Sequence, residues 1–315
     1  MMAIWRVEVA SSTDINELFK NFKPKHKFFI GIDSDGCVFE SMGIKQRECF
    51  CPWMIACFGL QPVAEAARQC KEFADLFSRT RGANRHKTIV RILTELLPNH
   101  PMVLERGFQV PQFKYYCEWV NNPQSILSDV GLKNAIKEAR NDEARMELSI
   151  VLKWSTIVNR AVGDIVRDVP PFPYVHQSLE KMSHAADIVV VSATPGETLE
   201  REWQQQDIAK YVRVIAGQEM GSKQQQIHLA TTGKYASDHI LMIGDAPGDM
   251  LAARSNNALF YPINPGHEIT SWKRFFEEAS DRFIECHYAS QYESSLITEF
   301  NACLPEYPPW LCKMI

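Results

Sequence analysis

The residues Phe28-Phe29-Ile30-Gly31-Ile32-Asp33-Ser34-Asp35-Gly36-Cys37-Val38-Phe39 decide how the rest of the chain reads. A short apolar run, with Lys25 and Lys27 before it and Asp-Ser-Asp-Gly after it, predicts a buried strand ending in a polar loop. A period of two would place Asp33 and Asp35 on one face if the strand continued, but Gly36 and the polarity stop it there. In an open parallel α/β sheet the carboxyl ends of the strands are where ligands bind. Two neighbouring carboxylates repel, so a site that keeps both supplies a cation or protonates one of them. They can then divide the work, one as nucleophile or metal ligand and the other moving protons. Taken alone, Asp-Ser-Asp-Gly also reads as an ordinary capped turn, and the later strand ends decide between the two.

The 315 residues, 45% hydrophobic and 23% charged, suffice for one large or two ordinary soluble domains. With 34 basic and 38 acidic residues the net charge is −4 and the pI about 6.2. Nothing in that balance suggests a nucleic-acid partner. No apolar run approaches the roughly 18 residues that cross a bilayer, and the amino terminus lacks a charged-then-apolar signal pattern. A cytoplasmic protein with no membrane partner is therefore expected. The nine cysteines are scattered and fit reduced thiols; Cys49 and Cys51, the closest pair, lack the second pair or nearby histidine of a zinc site. Oligomeric state is not legible.

Residues 1–26 read as an extension laid against the core. They hold an alternating run at 5–9, then Ser12 or Thr13 capping a short helix through Phe22 that Pro24 ends. Between residues 41 and 168 the only periodicity is helical, broken by Pro98, Pro101, Pro111 and Pro123. Its clearest helix spans 142–166, where Ile150, Trp154, Ile157, Val158, Ala161 and Ile165 recur at helical spacing. After Phe172, strands at 188–191, 212–216, 240–243 and 258–261 alternate with helices at 197–206, 223–231 and 249–256, and 271–300 reads as peripheral helical packing. The expected class is α/β: a doubly wound, Rossmann-like parallel sheet core with an inserted all-α domain. The expected domains are an extension at 1–26, a core at 27–41 plus 171–315, and a helical insertion at 42–170.

Three later strand ends carry polar signals. In Val191-Ser192-Ala193-Thr194-Pro195-Gly196-Glu197, Thr194 and Glu197 have capping-box spacing with Pro195 at the first helical position. Ser192 then lies beside a helix amino terminus, where a hydroxyl and backbone amides can hold phosphate oxygens. Ser222 and Gln225 form a second capping box that puts Lys223 in the first helical turn, against the helix dipole, so an anionic group is expected to compensate it. In Gly244-Asp245-Ala246-Pro247-Gly248-Asp249 a strand again runs into a proline-started helix, adding two acids. Four carboxylates converging at one sheet edge call for a divalent cation that prefers hard oxygen ligands, and Mg2+ is the usual one.

Asp33-x-Asp35-Gly36, Ser192 after an apolar strand, Lys223, and Gly244-Asp245-x-x-x-Asp249 resemble, as an ordered set, the motifs of the haloacid dehalogenase superfamily of phosphohydrolases. The likeness covers about residues 27–39 and 172–261. The helical insertion falls directly after the first motif, where that superfamily commonly places its cap domain. Cys37 stands where threonine is more usual. The resemblance implies a Mg2+-dependent phosphatase of a small phosphorylated metabolite, working through an aspartyl-phosphate. Asp33 would be the nucleophile and Asp35 the acid and base. Ser192, Ala193 and Lys223 would hold the phosphoryl oxygens, Asp33, Asp245 and the Asp35 carbonyl would hold the metal, and Asp249 would support Lys223 or the metal shell. The motifs also fit a phosphomutase, or a scaffold on a retired catalytic fold. No cap residue inherits a role. The acid-free segment 79–87, with Arg81, Arg85 and Lys87, is a candidate anion-binding loop in the cap.

Overall fold

The computed structural model describes residues 15–312. The expected alternating run at 5–9 and the caps at Ser12 and Thr13 lie outside these residues. The chain divides into two compact units, one taking the described residues up to Ser41 with Asp168–Cys303, the other Met42–Arg167 with the described residues from Leu304.

Among the described residues the first unit is built on five parallel strands: β1 (Phe28–Ile32), β2 (Ala186–Val191), β3 (Val214–Ala216), β4 (Ile240–Gly244) and β5 (Leu259–Pro262), in spatial order β3-β2-β1-β4-β5. Strands β1, β2 and β4 are buried along their whole length, which is why each reads as a continuous apolar run. The chain winds outward from β1 through β2 to β3, then restarts on the other side of β1 with β4 and β5. The strand order therefore reverses between β1 and β4, and the crevice at their carboxyl ends is the ligand position of such sheets. The Asp33 amide donates to the Ile243 carbonyl at 3.0 Å, locking those two ends together.

Helices cover both faces. Gly196–Gln205 buries Leu199 and Trp203, and Pro247–Ser255 buries Ala252 and Ala253. The expected periphery at 271–300 is instead part of the core. Trp272, Phe275, Phe283 and Tyr288 are all buried, and Trp272 Nε1 donates to the Cys37 carbonyl at 2.8 Å. The mixed periodicity there has a cause, since the π-helical turn Phe275–Ala279 interrupts the 3.6-residue pattern between Glu268–Arg274 and Ser280–Ile284.

The second unit is helical. Its longest helix, Asp142–Ile165, is capped by Asn141, whose side chain accepts from the Ala144 amide at 2.8 Å, and it buries Leu148, Val151, Trp154 and Val158 on one face. Residues 304–312, expected with the sheet, belong here. The Arg79 amide donates to the Pro305 carbonyl, the Arg91 guanidinium donates to the Glu306 carbonyl, and the Trp310 ring packs against Phe73 and His100. No helix among the described residues is long and apolar enough to cross a membrane.

Candidate active site

After β1 the chain folds back at once. Gly36 takes φ +78°, a conformation that favours glycine, and lets its amide reach the Phe39 carbonyl at 2.8 Å while Val38 N bonds Ser34 O at 2.8 Å. This turn gives the two acids different surroundings. Asp33 is buried, with Oδ1 accepting from the Ser34 amide at 2.7 Å and Oδ2 lying 2.6 Å from Lys223 Nζ. Asp35 is half-buried, with Oδ1 accepting from the Ser41 hydroxyl and Oδ2 from the Thr194 hydroxyl at 2.6 Å. Between them the Ser34 hydroxyl accepts from Trp203 Nε1 at 3.0 Å.

Lys223 begins the helix Lys223–Thr231, capped by the reciprocal Ser222–Gln225 box. Its ammonium bridges Asp33 and Asp249, 2.6 Å from each. Burial pulls the ammonium toward losing its proton, but the two carboxylates outweigh that and hold its pKa above the ordinary lysine value. The anion expected to compensate Lys223 is thus part of the protein.

Asp249 is fully committed. Oδ1 takes Lys223, and Oδ2 takes the Asp245 and Ala246 amides at 3.1 and 3.0 Å, closing the start of Pro247–Ser255. Gly244 permits this, because a Cβ there would stand 2.4 Å from the Asp249 Cβ. One carboxylate oxygen from each of Asp33, Asp245 and Asp249 lies within 4.8 Å of the others, and all three residues are buried.

Against three carboxylates the Lys223 ammonium supplies one positive charge. Burial pushes the Asp33 carboxyl well above the usual carboxylate range; Lys223 opposes that shift, while Asp249 and Asp245 add to it. The site fits a hard divalent cation by its donor chemistry. Asp33, Asp245 and Asp249 are the buried carboxylates grouped where one could bind. The Asp35 side chain is turned to Ser41 and Thr194, which leaves its main-chain carbonyl as the atom it can offer.

Ser192 is buried at the end of β2. Its amide extends the ladder to Ala216 O at 3.0 Å, and its Oγ accepts from the Thr194 amide at 3.2 Å. Ala193 is exposed. The capping box expected at Thr194 does not form. The helix starts at Gly196 with Pro195 as its cap residue, and the Thr194 hydroxyl is drawn to Asp35 instead. The Gly196 amide meets Glu219 Oε2 at 3.1 Å. Buried Gln226 steadies the same loop by donating to the Gly217 and Gly221 carbonyls.

In the helical unit the three candidate cations are placed differently from one another. Arg81 is buried and donates to the Leu76 carbonyl at 2.9 Å. Arg85 lies over the Phe50 ring and donates to Ser155 Oγ and Asn159 Oδ1, at 3.2 and 2.7 Å. Lys87 is exposed. The arginines therefore hold the helical unit together. The positive patch read from 79–87 shrinks accordingly.

Thr194, Ser41, Glu219 and Gln226 were not singled out from the sequence as site residues. Only their placement around the strand ends marks them, although a threonine two residues after a strand-end serine is a weak cue.

No family model matches the chain, and no curated protein matches it. The structure is similar to several solved ones. One, provisionally named a β-phosphoglucomutase, from Bacteroides vulgatus, is 12% identical over 88% of this chain and 98% of its own, with a TM-score of 0.46. Another, provisionally named a phosphoglycolate phosphatase, from Lactobacillus delbrueckii subsp. bulgaricus, is 14% identical over 83% and 98%, with a TM-score of 0.46. A haloacid dehalogenase-like family hydrolase from Streptococcus pneumoniae is 15% identical over 78% and 90%, with a TM-score of 0.41. At such distances no residue takes a role from these relatives, and the chemistry rests on the site's own geometry.

Proposed function

We propose that this chain is a Mg2+-dependent phosphatase of the haloacid dehalogenase type, hydrolysing a small phosphorylated metabolite through an aspartyl-phosphate. The observation that carries the reading is the division within Asp33-Ser34-Asp35: one acid is ion-paired to Lys223 among buried carboxylates, and the other accepts from the Ser41 and Thr194 hydroxyls.

In the first half-reaction the Asp33 carboxylate attacks phosphorus. The bond from phosphorus to the leaving oxygen breaks, and Asp35 gives that oxygen its proton. In the second half-reaction Asp35, now a carboxylate, takes a proton from water as it attacks the aspartyl-phosphate, which frees Asp33 and releases phosphate. Lys223 places its charge beside the attacked group, and Asp249 holds Lys223 there. Ser192 and the Ala193 amide complete the cradle for the phosphoryl oxygens. Mg2+, held by Asp33, Asp245 and the Asp35 carbonyl, would supply positive charge against the transferring phosphoryl group.

A panel of phosphorylated metabolites, assayed for inorganic phosphate with and without Mg2+, tests this. Release is expected for at least one compound and should vanish in excess chelator. Full turnover in chelator would remove the metal from the reading. Conversion of a sugar phosphate to its isomer without phosphate release would make the chain a mutase.

A further inference from the structure

The opposite end of the sheet carries a second group of donor atoms, unused by the phosphatase reading. Asp238 and His239 close the turn Ser237–His239 that leads into β4, and Cys286 follows the helix Ser280–Ile284 with φ +59°. His239 Nε2 lies 3.6 Å from Cys286 Sγ and 3.8 Å from Asp238 Oδ1. One donor atom from each of the three lies within 4.8 Å of the other two.

The sulfur–nitrogen spacing is close to that of a metal polyhedron, and the nitrogen–oxygen spacing is a few tenths of an ångström wider. Tetrahedral zinc, with bonds of about 2.3 Å to sulfur and about 2.0–2.1 Å to nitrogen or oxygen, separates sulfur from nitrogen by about 3.5 Å and nitrogen from oxygen by about 3.4 Å. At these distances His239 and Cys286 also share a hydrogen bond and Asp238 is within ion-pair reach of a protonated His239, so the metal reading rests on the three donor atoms lying within 4.8 Å of one another. The two limbs are also keyed together. The His239 ring packs on Phe28 with centroids 4.6 Å apart, and Phe28 packs on Phe283, in the helix that leads to Cys286, at 5.1 Å. Asp238 and Cys286 are exposed, which leaves an ion a path in.

We propose that Asp238, His239 and Cys286 form a binding site for zinc or a similar borderline divalent cation, with solvent completing the tetrahedron. An imidazole and a thiolate select such ions over Mg2+, so the site would not compete with the strand-end acids for theirs. The five residues of β4, at about 3.3 Å each, put roughly 16 Å between the two.

Metal-free full-length protein titrated with Co2+ tests this. One equivalent should give the visible bands of tetrahedral cobalt together with a near-ultraviolet thiolate-to-cobalt band. Cys286→Ser should lose the thiolate band. Asp238→Asn should keep it and bind at least about tenfold more weakly. Zn2+ should displace the Co2+, and excess Mg2+ should not. In the unmutated protein, Zn2+ should also shield Cys286 from alkylation, read by peptide mass, which needs no variant to fold. A missing thiolate band, one that survives in Cys286→Ser, unchanged affinity in Asp238→Asn, or unshielded Cys286 would each overturn the site.

Discussion

Each unit contains a lysine held by acid, and the two are built to different ends. In the helical unit Lys71, on the helix Ala64–Leu76, is fully buried; its ammonium lies 2.5 Å from Asp75 and 2.7 Å from Gln46 Oε1, with the Phe50 ring 5.1 Å away. One positive charge meets one negative charge, a neutral amide and a ring face, and the pair is closed to solvent. In the sheet unit Lys223 keeps 18% of its side chain exposed and meets two carboxylates, with a third beside them. That group gathers three buried carboxylates around one lysine at a strand end. The difference teaches that burial and pairing alone do not mark a site. Several carboxylates gathered around one ammonium at a topological switch point do, because that is where such sheets bind ligands.

The largest effect should come from the two acids that the turn separates. Asp33→Asn should reduce turnover by at least about 10⁴-fold while keeping the fold, since an amide is nearly isosteric with the carboxylate. Asp35→Asn keeps the nucleophile, so an aryl phosphate, whose leaving group needs little protonation, should still phosphorylate Asp33. The second step then slows by about 10²–10⁴-fold, and intact mass should show a trapped phosphoenzyme. If neither variant is modified, or if Asp33→Asn retains substantial turnover, the covalent route is wrong.

The lysines come next, with opposite readouts. Lys223→Met should cost about 10²–10³-fold in kcat, the usual loss on removing one stabiliser of a developing anion, with a smaller change in unfolding midpoint. Lys71→Met strands Asp75 in the interior and should cost about 3–5 kcal/mol of stability while leaving kcat per folded molecule unchanged. Replacing both Lys71 and Asp75 with apolar residues should recover much of that loss. Equal stability losses with intact turnover in both single variants would erase the contrast.

Much of this was legible in the residue order, for a physical reason. Strands buried on both faces must be continuous apolar runs, so the expected strands at 188–191, 240–243 and 258–261 match β2, β4 and β5 to within two residues at either end. The Ser222 capping box is a local rule, and it holds. The Thr194 box obeys the same rule and fails, because Asp35, 159 residues away, takes the hydroxyl. Residues 304–312 contain no periodicity that names their host, since they are held by backbone carbonyls that accept from Arg79 and Arg91 and by single side chains, Glu306 beside Arg79 and Trp310 against Phe73 and His100. Long-range partners of this kind leave no trace in sequence spacing.

The smallest expected effect is the most specific, because it asks whether the hydroxyls on Asp35 matter to chemistry or only to packing. Thr194→Val removes one O–H donor at nearly constant volume, leaving Ser41 as the other clamp. One hydrogen bond to a charged group contributes about 1.5–3 kcal/mol, and a site this open recovers part of it from water, so a fall in kcat of about tenfold is expected. Its dependence on leaving group separates the two roles. If Thr194 aims Asp35 at the departing oxygen, an alkyl phosphate, which must be protonated as it leaves, should suffer more than an aryl phosphate, which need not be. Equal losses on both would mean that the threonine merely supports the loop after β2. Thr194→Ser keeps the donor and drops only a methyl group, so it should restore the alkyl substrate's rate; failure of that rescue would take Thr194 out of the positioning of Asp35.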